Sequence, residues 1–444
     1  MDILKDFSLN CNKKYKINFD GGNLSSDAGL LLIKDFADKL GFEKLIKNIF
    51  KTNDLSKGRL HLDSDNLLQM IYQVMAGYHQ DDFADELSYD PVMTSILDKD
   101  RLASQPTLSR FFNRMDETTM EQFNQIIRSM RKTVYSIQKP EYILLDLDST
   151  LLETYGKQEG QAFNYHYQQN GYHPLVCYDA LTGDLLKAQL REGAKYCSNG
   201  SGEFMDILLN ELKQDIPKTN LFMRADSGFA TPTLYDVLEK HNCKYIIRLK
   251  ANPNLYSLIQ DEIKDLLETA MDSDTMLDYH VRYGEFTYQA TSWDNPRKVI
   301  YKIEKSQGQL MPQEAFFVTT MEDLKAEQLV KLYNDRGSME NFIKESKRGF
   351  SFSSTSSKSM MINSNRLQLR VIAYNLFNYF RRLVLPKNIS KHYIETIRNK
   401  LLKVATKVVK KSRYIVFKLC SSFAYKQTFS KILKNICNLQ VYLE

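Results

Sequence analysis

Apolar positions over the first 138 residues recur at helical spacing. Ser25-Ser26-Asp27 precedes Ala28-Gly29-Leu30-Leu31-Leu32-Ile33, and Phe36, Leu40 and Phe42 carry the apolar stripe onward. Residues 67–75 predict another helix. Ser104 or Gln105 caps a third, with Pro106 early in its first turn, and residues 120–130 form a further amphipathic stretch. The pattern changes at Pro140. Residues 141–150, 171–180 and 185–191 predict three strands, the last two joined by the turn signal Thr182-Gly183-Asp184. A helix over 203–213, a strand over 220–226, a helix over 231–241 and a strand over 243–250 follow. Beyond them lie a helical stretch at 255–269 and strand-like runs at 279–293, 298–305 and 314–320. A helix then runs from about Glu327 through Lys347, and another covers 365–383.

Three meander strands, then helix, strand, helix, strand, is the order of the ribonuclease H-like fold. This is an α/β architecture with a mixed sheet flanked by helices, and it awaits one more helix. The expected organisation is a helical N-terminal domain over residues 1–138 and a catalytic domain over 139–250 and 326–385. Residues 251–325 are expected to form a β-rich insertion into that domain, and 386–444 a basic C-terminal tail.

Composition narrows the class. Apolar residues make up 43 % and aromatics 11 %, enough for packed cores and too much for a disordered chain. No run approaches the ~18–20 apolar residues of a membrane helix, so no membrane partner is expected. Met1–Asp6 lacks the basic head and apolar stretch of a secretory signal, and the chain reads as cytosolic. Six scattered cysteines without a Cys-x-x-Cys pair suggest neither zinc nor a disulfide framework. The net charge of +6 conceals an asymmetry. Residues 381–444 hold fifteen Lys/Arg and two acids, so that segment is +13 and the remainder −7. A basic tail on an acidic body suggests a polyanionic partner. Lys400, Lys403, Lys407, Lys410, Lys411 and Arg413 are placed to follow a duplex backbone, and Arg110 and Arg114 are candidates for reading sequence.

Carboxylates supply the candidate chemistry. A two-metal phosphodiester site needs acids converging on two Mg²⁺ ions roughly 3.5–4 Å apart, and hard cations take oxygen ligands. Asp148 and Asp146 both interrupt an apolar strand, where an unpaired charge is costly. Residues two apart share a strand face, so the pattern does not separate them. Asp226 ends the next apolar strand, where α/β sites form. Glu340 sits within the awaited helix, and Tyr333, Arg336, Glu340 and Lys347 are spaced to share one helical face.

Tyr333-x-x-Arg336-x-x-x-Glu340-x-x-x-x-x-x-Lys347 resembles the Tyr-Arg-Glu-Lys signature of bacterial insertion-sequence transposases of the DDE, cut-and-paste class. Asp148-Ser149-Thr150 resembles the first catalytic motif of that family, which favours Asp148 over Asp146. Arg224-Ala225-Asp226-Ser227-Gly228-Phe229 resembles the second. The resemblance implies a metal-dependent enzyme in which Asp148, Asp226 and Glu340 bind two Mg²⁺ ions, with Mn²⁺ able to substitute. Tyr333, Arg336 and Lys347 would hold DNA phosphates. The implied partners are double-stranded DNA, as transposon ends and target, and a second copy of the chain as a homodimer. The implied setting is the bacterial cytoplasm, at the nucleoid when DNA is bound. Related enzymes stack an aromatic of a β insertion on a flipped base, which makes Trp293 a candidate. His166 and His173 are expected to be structural or DNA-facing rather than metal ligands. Two other readings stay open: a ribonuclease H-like nuclease without strand transfer, and an inactive DNA-binding relative.

Overall fold

The computed structural model describes residues 7–56, 58–271 and 279–441; the Met1–Asp6 stretch read above lies outside them. The chain divides into two compact units, residues 138–344 and residues 1–137 with 345–444.

The first of these units is a mixed α/β body built on one large sheet. Its strands are β1 (Tyr142–Ser149), β2 (Leu175–Asp179), β3 (Leu185–Gln189), β4 (Asn220–Ala225), β5 (Lys244–Leu249), β6 (His280–Tyr288), β7 (Arg297–Lys305) and β8 (Gln313–Thr319). Their order across the sheet is β6-β7-β8-β5-β4-β1-β2-β3. β4 runs parallel to both β1 and β5, and the other pairs are antiparallel. The helices are α1 (Ser201–Asp215), α2 (Pro232–Lys240), α3 (Ala326–Asn334) and α4 (Gly337–Gly349), the last passing into the other unit at Glu345. The central strands read as near-continuous apolar runs because both faces are covered. Ile143, Leu145, Leu147, Met223, Ala225 and Ile246 are fully buried.

Two features differ from the expected layout. Strands β6–β8, from the segment expected as an insertion, continue the main sheet, with β8 pairing directly with β5. They are legible as strands, but only pairing partners decide which sheet they join. The helix expected over 327–347 is broken after Asn334. Asp335 and Arg336 form a turn, and Gly337, the poorest helix former in the run after proline, opens a new helix. Tyr333, Arg336, Glu340 and Lys347 therefore do not share one continuous helical face. Tyr333 ends α3, Arg336 lies in the turn, and Glu340 and Lys347 occupy the first and last turns of α4.

Between β1 and β2 the chain adds a small sheet of residues Leu152–Glu153, Gln169–Tyr172 and Ala162–Asn164, which the apolar pattern does not predict. Pro174 separates its last strand from β2, since proline has no N–H for a ladder.

The other unit is mainly helical. Helices Leu30–Lys39, Asp63–Ala76, Glu117–Ile137 and Met360–Val384 supply most of its core, the last buried along nearly its whole length. The segment expected as a basic tail is folded into this unit. Residues Thr406–Lys410 (β9) and Ile415–Leu419 (β10) form a hairpin, and β9 pairs with the strand Leu24–Ser25. Helix Lys426–Asn438 follows, and Cys437 lends its carbonyl to Lys39 Nζ at 3.3 Å. Some tail cations are structural. Lys403 Nζ lies 2.6 Å from the fully buried Asp27, and buried Arg398 donates to the carbonyls of Met75 and Gly349, each at 2.9 Å. Arg114 is engaged by Thr52, Asp54 and Asp63, whereas Arg110 is exposed. Among the described residues no helix is long and apolar enough to cross a membrane.

Candidate active site

The register of two parallel strands sets the site. Arg224 pairs across the ladder with Asp146, and Ala225 with Leu147, so Asp226 comes next to Asp148 at the carboxyl ends of β4 and β1. Neighbouring strands are about 4.8 Å apart. The two pairs, two residues apart, have opposite electrostatic character.

The inner pair is neutralised. Asp146 is fully buried and takes two hydrogen bonds from Arg224, from Nε at 2.8 Å and from Nη2 at 2.7 Å. Arg224 Nη1 also donates to the Leu332 carbonyl at 2.6 Å, tying β4 to α3. Both Asp146 oxygens face the one guanidinium of Arg224 and the side chain is wholly shielded from solvent, whereas Asp148 keeps about a fifth of its side chain open.

The outer pair is two acids. Asp148 Oδ1 accepts from the Ser149 amide at 2.8 Å, and Oδ2 lies 3.1 Å from Arg336 Nη2. Burial raises the Asp148 pKa to about 6; Arg336 pulls it down, and the charge of Asp226 pushes it up. Asp226 Oδ1 accepts from the Gly228 amide at 2.9 Å, which opens the tight turn Ser227–Phe229. The ordinary capping role open to any strand-end aspartate is thus filled by one oxygen. Arg336 also donates to the Leu147 carbonyl at 3.0 Å, while its Nε is buried without a partner. Tyr333 rests on the apolar cluster around Ile246, Ile300 and Phe317, its ring 4.7 Å from that of Phe317.

Tyr167, which the sequence did not single out, stands near the two acids. Its hydroxyl lies 3.3 Å from the Ser149 carbonyl, and burial lifts its pKa to about 12, helped by the charges of Asp148 and Asp226. It sits in the small sheet's loop, where nothing in the local pattern signals a site. His173 is buried with Nδ1 2.8 Å from the Lys195 carbonyl, and the His166 ring packs edge-on against Tyr167.

Other predicted residues lie apart. Glu340 is exposed in the first turn of α4, whose Phe342 stacks on Tyr178 of β2. Lys347 is half-buried in that helix's last turn. Trp293 is 7 % exposed, with its ring against Tyr235 and Tyr288 and the Arg297 guanidinium over it. A ring packed in this way belongs to the core and offers no open face to a base.

Among the described residues no three His, Cys, Asp or Glu side chains are grouped closely enough to hold a metal ion. Asp148 and Asp226 nevertheless fit a hard divalent cation. Their oxygens are the right donors, and burial together with the charge of Asp226 disfavours ionised Asp148 more than Arg336 favours it, a cost that a bound cation would relieve. Glu340 is not brought to them.

Gly228 gives a test of the turn. A Cβ there would run into Cys197 Sγ and come within 3.1 Å of Asp226 Oδ1. Gly228→Ala is expected to lower activity by about tenfold or more while the fold survives, in line with the cost of disturbing a group that orients a ligand. Adding Cys197→Ala makes room and should restore part of the loss. An active single variant, or a double variant no better than the single, would remove the turn from the account.

The pattern of the family described as Transposase DDE domain group 1 matches residues 7–441. Among solved structures, the chain resembles a piggyBac transposase synaptic complex with hairpin DNA at 12 % identity and a TM-score of 0.43, covering 94 % of this chain and 85 % of that one. It resembles the Mos1 mariner paired-end complex with Mn at 13 % identity and a TM-score of 0.18, covering 53 % and 82 %. No curated protein matches it.

Proposed function

Because the chain belongs to the DDE transposase family, we propose that it is the transposase of a bacterial insertion sequence, which binds terminal inverted repeats, cuts DNA at the element ends and joins the 3′-hydroxyls to target DNA. The observation that carries this reading is the side-by-side placement of Asp148 and Asp226 at the ends of paired parallel strands, with Arg336 on Asp148. On it the catalytic unit is ribonuclease H-like and the acids are Asp148, Asp226 and Glu340.

DDE transposases generally use divalent metal ions. Asp148 and Asp226, with Glu340 as the third acid, would hold two Mg²⁺ ions, or Mn²⁺ in their place. The ions would supply activation of water or a 3′-hydroxyl and stabilisation of the leaving oxygen. The chain's own residues do the rest. Arg336, Tyr333 and Lys347 would hold DNA phosphates, and the Asp146–Arg224 pair ties β1 to β4 beneath the acids. Trp293 is left out of the DNA contacts because its ring is buried. Double-stranded DNA is the partner, a homodimer synapses two ends, and the bacterial cytoplasm is the setting.

The test is a strand-transfer assay with purified full-length chain, Mg²⁺, DNA carrying the element ends and a target plasmid. Cleaved ends and joined products are expected, and both should vanish in Asp226→Ala. Cleavage without joining would reduce the protein to a nuclease. Unchanged DNA-dependent behaviour in Asp226→Ala would leave an inactive DNA-binding relative.

A further inference from the structure

The hairpin β9–β10 has a charge pattern that folding does not explain. It carries Lys407, Lys410, Lys411, Arg413 and Lys418, all exposed, within a stretch from Thr396 to Leu443 that contains no Asp or Glu. Among the described residues none of the five is in an ion pair. The register sets Lys407 directly opposite Lys418. Like charges facing one another across an antiparallel ladder are destabilising, and among the described residues no ion pair to either lysine relieves this one. Charge that merely protects a sheet edge from aggregation belongs on the edge strand. Here β10 is the edge and carries only Lys418, while the other cations sit on the inner strand and the turn.

The base of the hairpin is fixed and its tip is free. Thr406 and Val408 are each 3 % exposed, and Thr406 and Lys407 pair with Ser25 and Leu24. The Lys411 amide closes the turn on the Tyr414 carbonyl at 2.9 Å, and Tyr414 is 56 % exposed beside the Lys411 ammonium. Two strands about 4.8 Å apart with side chains on both flanks match the major groove, roughly 12 Å wide, which admits a two-stranded ribbon; the minor groove, roughly 6 Å wide, does not.

We propose that β9–β10 is a DNA-reading ribbon that lies in the major groove of a duplex. Lys407, Lys410, Lys411 and Lys418 meet the phosphates along its walls, and Arg413 at the tip reaches guanine edges. The inference rests on the DNA-transposase reading and adds a groove, an element and a base contact to it.

The experiment uses the full chain and a mixed-sequence DNA duplex, with binding measured over a salt series. Lys410→Ala/Lys411→Ala is expected to melt at the wild-type temperature and to flatten the slope of log affinity against log salt by ~0.9 for each phosphate that the variant no longer neutralises. The same duplex methylated at guanine N7 should bind the wild type more weakly, and Arg413→Ala should bind methylated and unmethylated duplex alike. Equal salt slopes for wild type and double variant would overturn the ribbon alone, since the wild type still binds. Wild-type indifference to N7 methylation would overturn the groove assignment. A wild type that binds no duplex would remove both this proposal and the reading beneath it.

Discussion

Asp148→Asn is expected to abolish strand cleavage and, at the same time, to stabilise the metal-free protein at neutral pH. Both effects come from one carboxylate. Its folded pKa of about 6 lies above the ordinary 3.8, because burial and the neighbouring Asp226 disfavour its charge more than Arg336 favours it. Between those two pH values the folded state holds a proton that the unfolded state has released, so stability falls as pH rises through this window. Above about pH 6 the folded protein bears the full cost of an ionised Asp148. At about 1.4 kcal/mol per pKa unit, and with the side chain one-fifth open to solvent, that cost is on the order of 1–3 kcal/mol. Asparagine keeps the shape and removes the charge. Thermal melts at pH 7.5 should show the variant above the wild type, and melts at pH 4 should bring the two together. Cleavage should drop by at least the ~10²–10³-fold seen when a single charge-stabilising group is removed from an active site. An Asp148→Asn protein that melts lower than wild type at pH 7.5 would deny that burial and Asp226 make the ionised Asp148 a net cost to the fold.

That coupling between function and strain was only partly legible in the sequence. The strands are legible because apolar runs such as Leu221-Phe222-Met223 can hardly be anything else, and their order predicts a mixed sheet. Asp148 and Asp226 stand out for a physical reason, since a charge at the end of an apolar strand needs a partner or a task. What the sequence hides is pairing. Arg224 sits two residues before Asp226, and Asp146 two before Asp148, but only the parallel register sets Arg224 beside Asp146 and acid beside acid. The segment from Tyr333 to Lys347 fails differently. Its spacing suits one continuous helix, and the break at Asp335–Arg336 places Arg336 in a turn from which it reaches Asp148. In the C-terminal segment, lysines at every third or fourth position mask the alternation of a hairpin, so a folded element reads as a solvated tail.

Asp146→Ala is expected to do the opposite of Asp148→Asn: to lose activity by losing the fold. The Asp146–Arg224 pair is almost wholly shielded from water, at 0 % and 2 % exposure. Removing one partner leaves the other charge buried and unpaired, which costs about 3–5 kcal/mol, a large share of a domain's total stability. The damage would spread, because Arg224 also holds the Leu332 carbonyl near the end of α3 and so steadies the turn that presents Arg336. The melting temperature should fall by many degrees, and cleavage should fall with it. The double variant Asp146→Leu/Arg224→Met removes both charges together. Replacing a buried pair by apolar groups of similar volume is often neutral or stabilising, so it should recover most of the lost stability, short of what the Leu332 bond contributes. A recovered melting temperature with some returning cleavage would place Asp146 in the scaffold. If Asp146→Ala instead melts like the wild type and cleaves nothing, Asp146 is itself a reacting carboxylate, and the assignment of Asp148 as the first acid is wrong.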